Sequence, residues 1–263
     1  SYNPVEEINN RNLQTKTVDT RINAALFVKI FEGLSLESRV QYEFNNSFTK
    51  NYYSDNTYTV RSAVNVATSW NTSTNVTTLN LPKGGFLDQN RTEVKAYTFR
   101  NQLNYRKAFG RHDIVALGGF EMSDRVQQYF GNPRTYGFNN DKLTVGTFPN
   151  GPGGSSVKVI NNWLGSAQTF SYTNSYSYTT RRFFAAYANA AYSFDSKYSL
   201  TGSIRTDASN FITDDPKYRY APFWSVGASW NMMKEKFMSK LPFVDRLTAR
   251  LTFGYNGNVD VTT

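Results

Sequence analysis

The chain has 263 residues, 39% hydrophobic and 16% aromatic, with 18 Tyr, 20 Phe, one His, no Cys and a net charge of +9. Without cysteine there is no disulfide framework and no thiolate metal site. With a single histidine, His112, neither a catalytic triad nor a histidine-based metal site can be assembled. The positive charge is scattered, Arg181-Arg182 being the longest Arg cluster; it reads as loop, lumen and rim charge, not as a nucleic-acid patch.

Residues 1–12 are polar and acidic, without the basic and apolar regions of a secretory signal. Alternation then begins. In residues 18–28 the even positions are Val18, Thr20, Ile22, Ala24, Leu26 and Val28, set against Asp19, Arg21 and Asn23. After a short turn at 29–33, Leu34, Leu36, Val40, Tyr42 and Phe44 alternate with Glu37, Arg39, Gln41 and Glu43. Each stretch has one apolar and one charged face, over about the 9 to 11 residues that cross a membrane as a tilted strand.

The pattern returns in Tyr97, Phe99, Leu103 and Tyr105, set against Arg100, Gln102, Asn104 and Arg106. A turn at 109–113 leads to Ile114, Ala116, Phe120 and Met122, opposed by Glu121, Ser123 and Arg125. Next come Phe184–Phe194, a turn at Asp195-Ser196-Lys197, and Tyr198–Thr206 with Arg205 and Asp207 on its polar face. Trp224–Trp230 follows, and Leu247–Tyr255 with Arg250 on its polar face. That makes about eight strands.

The connections are unequal. Three are tight, and a fourth at 233–246 reads as a short helical turn followed by Pro242. Those at 45–91, 127–180 and 210–221 are long, the first two rich in Asn, Ser, Thr, Gly and Tyr. Inside one soluble domain, structureless loops that long would argue against the strand assignment; in an outer-membrane barrel they are expected. Short turns on one side and long loops on the other are the layout of an outer-membrane barrel, which orients the chain with both ends outside. The fold expected is all-β: an antiparallel transmembrane β-barrel segment, about eight strands of a larger barrel with long extracellular loops and short periplasmic turns. A narrow eight-stranded barrel would have to pair every charge in its filled interior. The last strand also runs into an outer loop, not a terminal aromatic residue at the inner rim.

Specific segments carry a resemblance. Residues 218–231 (YRYAPFWSVGASWN), then Lys236-Phe237 and residues 247–258 (LTARLTFGYNGN), are similar in order to barrel segments of the SusC/RagA family of TonB-dependent outer-membrane transporters. Residues 198–211 (YSLTGSIRTDASNF) resemble the segment just upstream, and Tyr2-Asn3-Pro4 an NP-containing loop. Ala208-Ser209-Asn210 stands where Gly-Ser-Ser is usual, and Trp224 where Pro is common. The resemblance implies that residues 1–263 are part of one receptor barrel domain of about 22 strands, with the plug domain, TonB box and remaining strands lying outside the chain. It implies import of oligosaccharide or peptide in the outer membrane, with a SusD-like lipoprotein as lid, TonB as energy source through the N-terminal region, and no enzymatic activity or cofactor. Two other readings stay open: a self-standing small barrel acting as adhesin or structural protein, and a secreted β-rich binding module.

The expected lumen-facing residues are Arg21, Glu37, Arg39, Glu43, Arg100, Glu121, Arg205, Asp207 and Arg250, either contacting plug and substrate or pairing across the wall. Trp70, Trp163, Tyr172, Tyr176 and Tyr178 are expected in the outer loops, contacting substrate or partner or packing the loops together. Asp214-Asp215 offers too few oxygens for calcium, and Gly151–Gly154 lacks the following helix of a phosphate cradle. No catalytic or metal residue is assigned.

Overall fold

The computed structural model describes residues 2–147, 157–210, 222–240 and 243–257. Wall strands β1 (Arg11–Phe31) and β2 (Leu34–Tyr53) form the first hairpin. A short helix, α1 (Pro4–Asn9), precedes them, and α2 (Tyr58–Val66), β3 (Thr68–Asn71) and β4 (Val76–Leu79) follow. Next come β5 (Gly85–Phe109), β6 (His112–Gly131), β7 (Thr135–Phe138), β8 (Val157–Asn161) and β9 (Ala167–Ser171). The chain closes with β10 (Ser175–Phe194), β11 (Tyr198–Ser209), β12 (Pro222–Asn231), two 3-10 turns and β13 (Thr248–Tyr255).

The eight expected wall strands all form, in the order β1-β2-β5-β6-β10-β11-β12-β13, with β7 added to β5. The last three pairings are antiparallel and free of register shifts, so each face keeps its chemistry from strand to strand. Ala188, Ile204, Trp224 and Tyr255 form one apolar row; Tyr192, Leu200, Ala228 and Leu251 form another. The apolar face to which these rows belong is bare: Leu251 is 77% exposed, Phe253 71%, Leu200 57% and Ile22 59%. An apolar sheet face left in the open is what lipid, not water, accommodates.

The strands outrun the alternation. The connections expected at 45–91 and 127–180 are shorter, because β2 continues to Tyr53, β5 begins at Gly85, β6 ends at Gly131 and β10 begins at Ser175. In these extensions hydroxyls and amides face each other: Thr15 Oγ1 lies 3.1 Å from Thr49 Oγ1, Thr17 Oγ1 lies 3.0 Å from Ser47 Oγ, and Arg11 Nε donates to Asn51 Oδ1 at 2.9 Å. Backbone pairing continues where lipid no longer dictates an apolar face, so hydropathy cannot mark the strand end.

The chain divides into two compact units. The first, Ser1–Asp19, Phe44–Val94 and Gln127–Thr179, takes in the two long connections. Their described residues are folded, not structureless. Val60, Ala67, Leu81, Phe86, Tyr136 and Ile160 form a buried cluster, joined by Tyr53, Ala63, Val64 and Phe170. Phe86 is fully buried and meets Tyr136 edge-on at 4.9 Å. Beside it Arg134 grips Asp88 with two bonds, Nε to Oδ1 at 2.7 Å and Nη2 to Oδ2 at 2.6 Å, and stacks over Phe86 and Tyr53. Glu7 of α1 accepts from the backbone of Tyr58 and the hydroxyl of Thr59. Desolvation pushes its pKa up, but those bonds outweigh it and hold the carboxyl below its usual value.

The second unit, Thr20–Glu43, Lys95–Val126 and Thr180–Thr263, contains the three tight turns. Gly33 has φ +89, and a Cβ there would collide with the Arg106 carbonyl, which accounts for its glycine. In the β10–β11 turn Asp195 and Ser196 both take positive φ, 57 and 51, without being glycine. The strain at Asp195 is offset by contacts. Arg111 Nη2 donates to Asp195 Oδ2 at 2.5 Å, Asp195 N donates to the Arg111 carbonyl at 2.7 Å, and Lys197 Nζ lies 3.6 Å from the same carboxylate. Lys197 also reaches Glu235 Oε2 at 3.3 Å; Glu235 Oε1 accepts from Tyr198 Oη at 2.6 Å and Trp230 Nε1 at 3.3 Å. The bond from Arg111 holds Asp195 below the usual carboxylate range, and the bond from Tyr198 does the same for Glu235. Next to this belt His112 stacks on Phe109 at 5.0 Å and bonds Tyr192 Oη through Nδ1 at 2.6 Å. It belongs to an aromatic girdle with Phe194, Tyr198 and Trp230.

Candidate functional site

The candidate site lies on the polar face of the second unit. Arg21 Nη2 and Glu43 Oε2 are 3.3 Å apart, and Glu43 Oε1 is 3.8 Å from Arg125 Nη1, so one carboxylate on β2 lies between two guanidinium groups. Arg39 pairs with Glu37 two residues away on the same strand and lies over Phe27 of β1. Arg205 holds both oxygens of Asp207, at 2.8 and 3.0 Å, again two residues along one strand.

The hub of this face is Tyr187. It stands opposite Arg205 in the β10–β11 register, and Arg205 lies 5.9 Å from its ring centre. Its hydroxyl accepts from Arg100 Nε at 2.9 Å and donates to Gln102 Oε1 at 2.9 Å. Gln102 also accepts from Arg100 Nη2 at 2.6 Å and donates to Asn104 at 2.6 Å, closing a polar network over three strands.

Arg39, Arg100 and Glu121 come together in a groove of about 310 Å³ that Asn23 and Gln41 also line. Among the described residues Glu121 makes no ion pair, which leaves a carboxylate and two arginines facing open space. The geometry offers donors and acceptors of both charges to a polar, extended solute. Arg250, opposite Ser229, stands apart and makes no ion pair among the described residues.

The aromatic candidates separate. Trp70 lies on β3 and donates to Asn75 Oδ1 at 3.2 Å; Tyr172 lies between β9 and β10. Trp163, 53% exposed, sits in the β8–β9 turn, where Asn162 Oδ1 accepts from the Leu164 and Ser166 amides. With Glu6, Tyr58, Arg61 and Asn65 it lines a groove of about 500 Å³ in the first unit, where Arg61 Nη2 is 3.5 Å from Glu6. Tyr176 and Tyr178 are a correction. They belong to wall strand β10, not to a loop, and Tyr176 packs on Phe130 of β6 at 5.1 Å. The Tyr/Ser alternation there is a strand pattern that loop-like composition concealed.

Sequence reasoning missed three things: Arg125 as the second partner of Glu43, Tyr187 as a hub, and the Asp124–Arg182 pair on the apolar side at 3.3 Å. The signal for Tyr187 was a lone aromatic on a polar parity. Asp214-Asp215, Gly151–Gly154, Pro242 and residues 218–221 lie outside the described residues. Among the described residues no cluster of His, Asp or Glu could hold a metal.

No family model matches the chain. TonB-dependent receptor P39 of Formosa agariphila is 29% identical over 184 residues, 69% of this chain and 16% of that protein. TonB-dependent receptor P26 of the same organism is 27% identical over 181 residues, 68% of this chain and 16% of that protein. The RagAB peptide importer in its closed-closed state superposes with a TM-score of 0.69 at 18% identity, over 96% of this chain and 24% of that one. At that identity the likeness is one of fold. The chain spans about a sixth of the length of these curated relatives. In sequence it is similar to TonB-dependent receptors, and its fold is that of a stretch of β-barrel wall. The relatives bear the names of receptors and the superposed structure that of a peptide importer, none of them an enzyme.

Proposed function

We propose that this wall serves an outer-membrane importer that takes up an oligosaccharide or peptide, drawing energy from TonB and using a SusD-like surface lipoprotein as lid. The observation that carries the reading is the division of labour between the faces. The apolar rows are bare for lipid, while the opposite face carries Arg39, Arg100 and Glu121 in an open groove beside the Tyr187 network. On this reading Arg21, Glu37, Arg39, Glu43, Arg100, Glu121, Arg205, Asp207 and Arg250 face the lumen. The pairs Arg21–Glu43, Glu37–Arg39 and Arg205–Asp207 brace the wall; the groove residues contact the plug or the passing solute. Trp163, with Arg61 and Asn65, offers an aromatic face flanked by polar groups, which suits a sugar ring or a peptide. The adhesin and secreted-module readings receive no support from a specific feature of the site.

The test is uptake by cells carrying the full-length gene. Loss of uptake on deleting the gene and on inactivating TonB, with a surface lipoprotein co-purifying from detergent, is the expected result. Undiminished uptake in the TonB-deficient strain overturns it. Arg100→Gln is expected to lower uptake several-fold without reducing the amount of receptor in the membrane.

A further inference from the structure

The apolar face of the second unit is interrupted by a groove of about 600 Å³. Its floor is Val40, Tyr97, Phe99, Met122, Phe184 and Ala208, drawn from five adjacent strands, a width of about 20 Å at the usual strand spacing. Asp124, Arg182 and Asn210 edge it. Position along the strand gives that edge its meaning. On β10 the apolar parity runs from Phe194 back to Phe184, about ten residues, and a strand tilted by about 40° needs about that many to cross an apolar band of about 25 Å. Arg182 is the first charge past the band on that parity. On β6, Asp124 holds the same place after Ile114–Met122.

Arg182 is built in. Its backbone N–H donates to Asn210 Oδ1 at 2.7 Å, and Asn210 Nδ2 donates to the Thr180 carbonyl at 2.8 Å. Asp124 Oδ2 accepts from Nε at 3.3 Å. Among the described residues Nη1 and Nη2 make no hydrogen bond, and the side chain is 70% exposed. A guanidinium tethered at Nε presents its other two nitrogens as a fork, the shape that binds a phosphate through two oxygens.

We propose that this groove binds a phosphorylated, multiply acylated glycolipid of the outer leaflet, with the phosphate on Arg182 and acyl chains along Val40, Phe99, Met122 and Phe184. The inference goes beyond import but rests on the outer-membrane reading of the wall, with the Arg182 end of β10 on the side of the long loops. The apolar floor and the guanidinium, paired with Asp124 at Nε and open at its other two nitrogens, meet at one depth, and that pairing matches an acyl chain joined to a phosphate rather than either alone.

The full-length receptor is purified, delipidated and offered phosphorylated lipid A or its dephosphorylated form, with bound lipid read by native mass spectrometry. The expected result is about a tenfold preference for the phosphorylated form, the weight of one charge-assisted contact. Arg182→Gln abolishes that preference while heat-modifiable mobility on gels stays unchanged, and inorganic phosphate does not displace the lipid. An unchanged preference in Arg182→Gln, or displacement by inorganic phosphate, overturns the proposal. A second arm places bimane at Leu200→Cys in a cysteine-free background and measures quenching by doxyl lipid in nanodiscs. Strong quenching with no Arg182 effect refutes the glycolipid site alone; absent quenching refutes the lipid assignment of the face and the site with it.

Discussion

Tyr187 concentrates several interactions in one hydroxyl, which accepts from Arg100 and donates to Gln102. Tyr187→Phe keeps the ring under Arg205 and removes only the hydroxyl, so Gln102, 9% exposed, loses a donor it cannot readily replace from solvent. A loss of about 1 kcal/mol is expected in urea unfolding from micelles, and Arg100→Gln in the Tyr187→Phe background should cost less than it does alone. Ser196 gives the opposite sign. Its φ of 51 is unfavourable for a residue with a side chain, and among the described residues its hydroxyl makes no hydrogen bond, so Ser196→Gly should stabilise the hairpin by up to about 1 kcal/mol, seen as a higher midpoint of heat-modifiability.

At the scale of elements, the belt Arg111–Asp195–Lys197–Glu235 links successive turns through charge. Asp195 and Glu235 both titrate below their ordinary values, Asp195 chiefly through Arg111 and Glu235 chiefly through Tyr198. Depressed carboxyl pKa values contribute stability that is fully present above the unfolded values, about 4, and lost as pH falls through the folded ones. Amide exchange at the three turns should therefore accelerate below about pH 4 and be flat from pH 5 to 7. Asp195→Asn with Glu235→Gln should remove that acid dependence; an unaltered pH profile in the double variant counts against the belt. Strand faces make a sharper contrast. Val226→Lys puts a charge on the bare apolar row, with an expected cost of about 2 to 4 kcal/mol near mid-membrane, whereas Ser225→Lys, one residue away on the polar face, should cost far less. Folding yield into vesicles compares the two.

These contrasts were legible in the sequence because lipid imposes a period of two wherever it touches a strand. Val18–Val28, Leu34–Phe44 and Tyr198–Thr206 could be assigned a face on that ground alone, and the turn at Asp195-Ser196-Lys197 was bounded correctly. Strand lengths were not legible. The Thr15–Thr49 and Thr17–Ser47 pairs hold strands in register with side chains that loops also favour. Tyr176 and Tyr178 were misplaced for the same reason.

Across the whole chain, the two units depend on different solvents. The second has its apolar rows turned outward and needs lipid to cover them. The first buries Phe86, Leu81 and Val60 as a water-soluble domain does. Phe86→Ala should destabilise that packing by about 3 to 5 kcal/mol and expose the segment between β2 and β5 to limited proteolysis, while detergent-resistant folding of the wall persists. Cleavage that is no faster than in the parent protein would contradict an independent core.

The sequence by itself determined the class of wall, the number of its strands, their tight turns and the two faces, since each follows from local period and turn chemistry. Only the tertiary structure decided which charges meet. Glu43 between Arg21 and Arg125, Arg39 and Arg100 beside Glu121, and Arg182 tethered to Asp124 are brought together by register and strand order, not by proximity in the chain. It also decided that the described parts of the connections at 45–91 and 127–180 are folded, because their hydrophobic residues are too sparse along the sequence to announce a core and gather only when α2, β5, β7 and β8 meet.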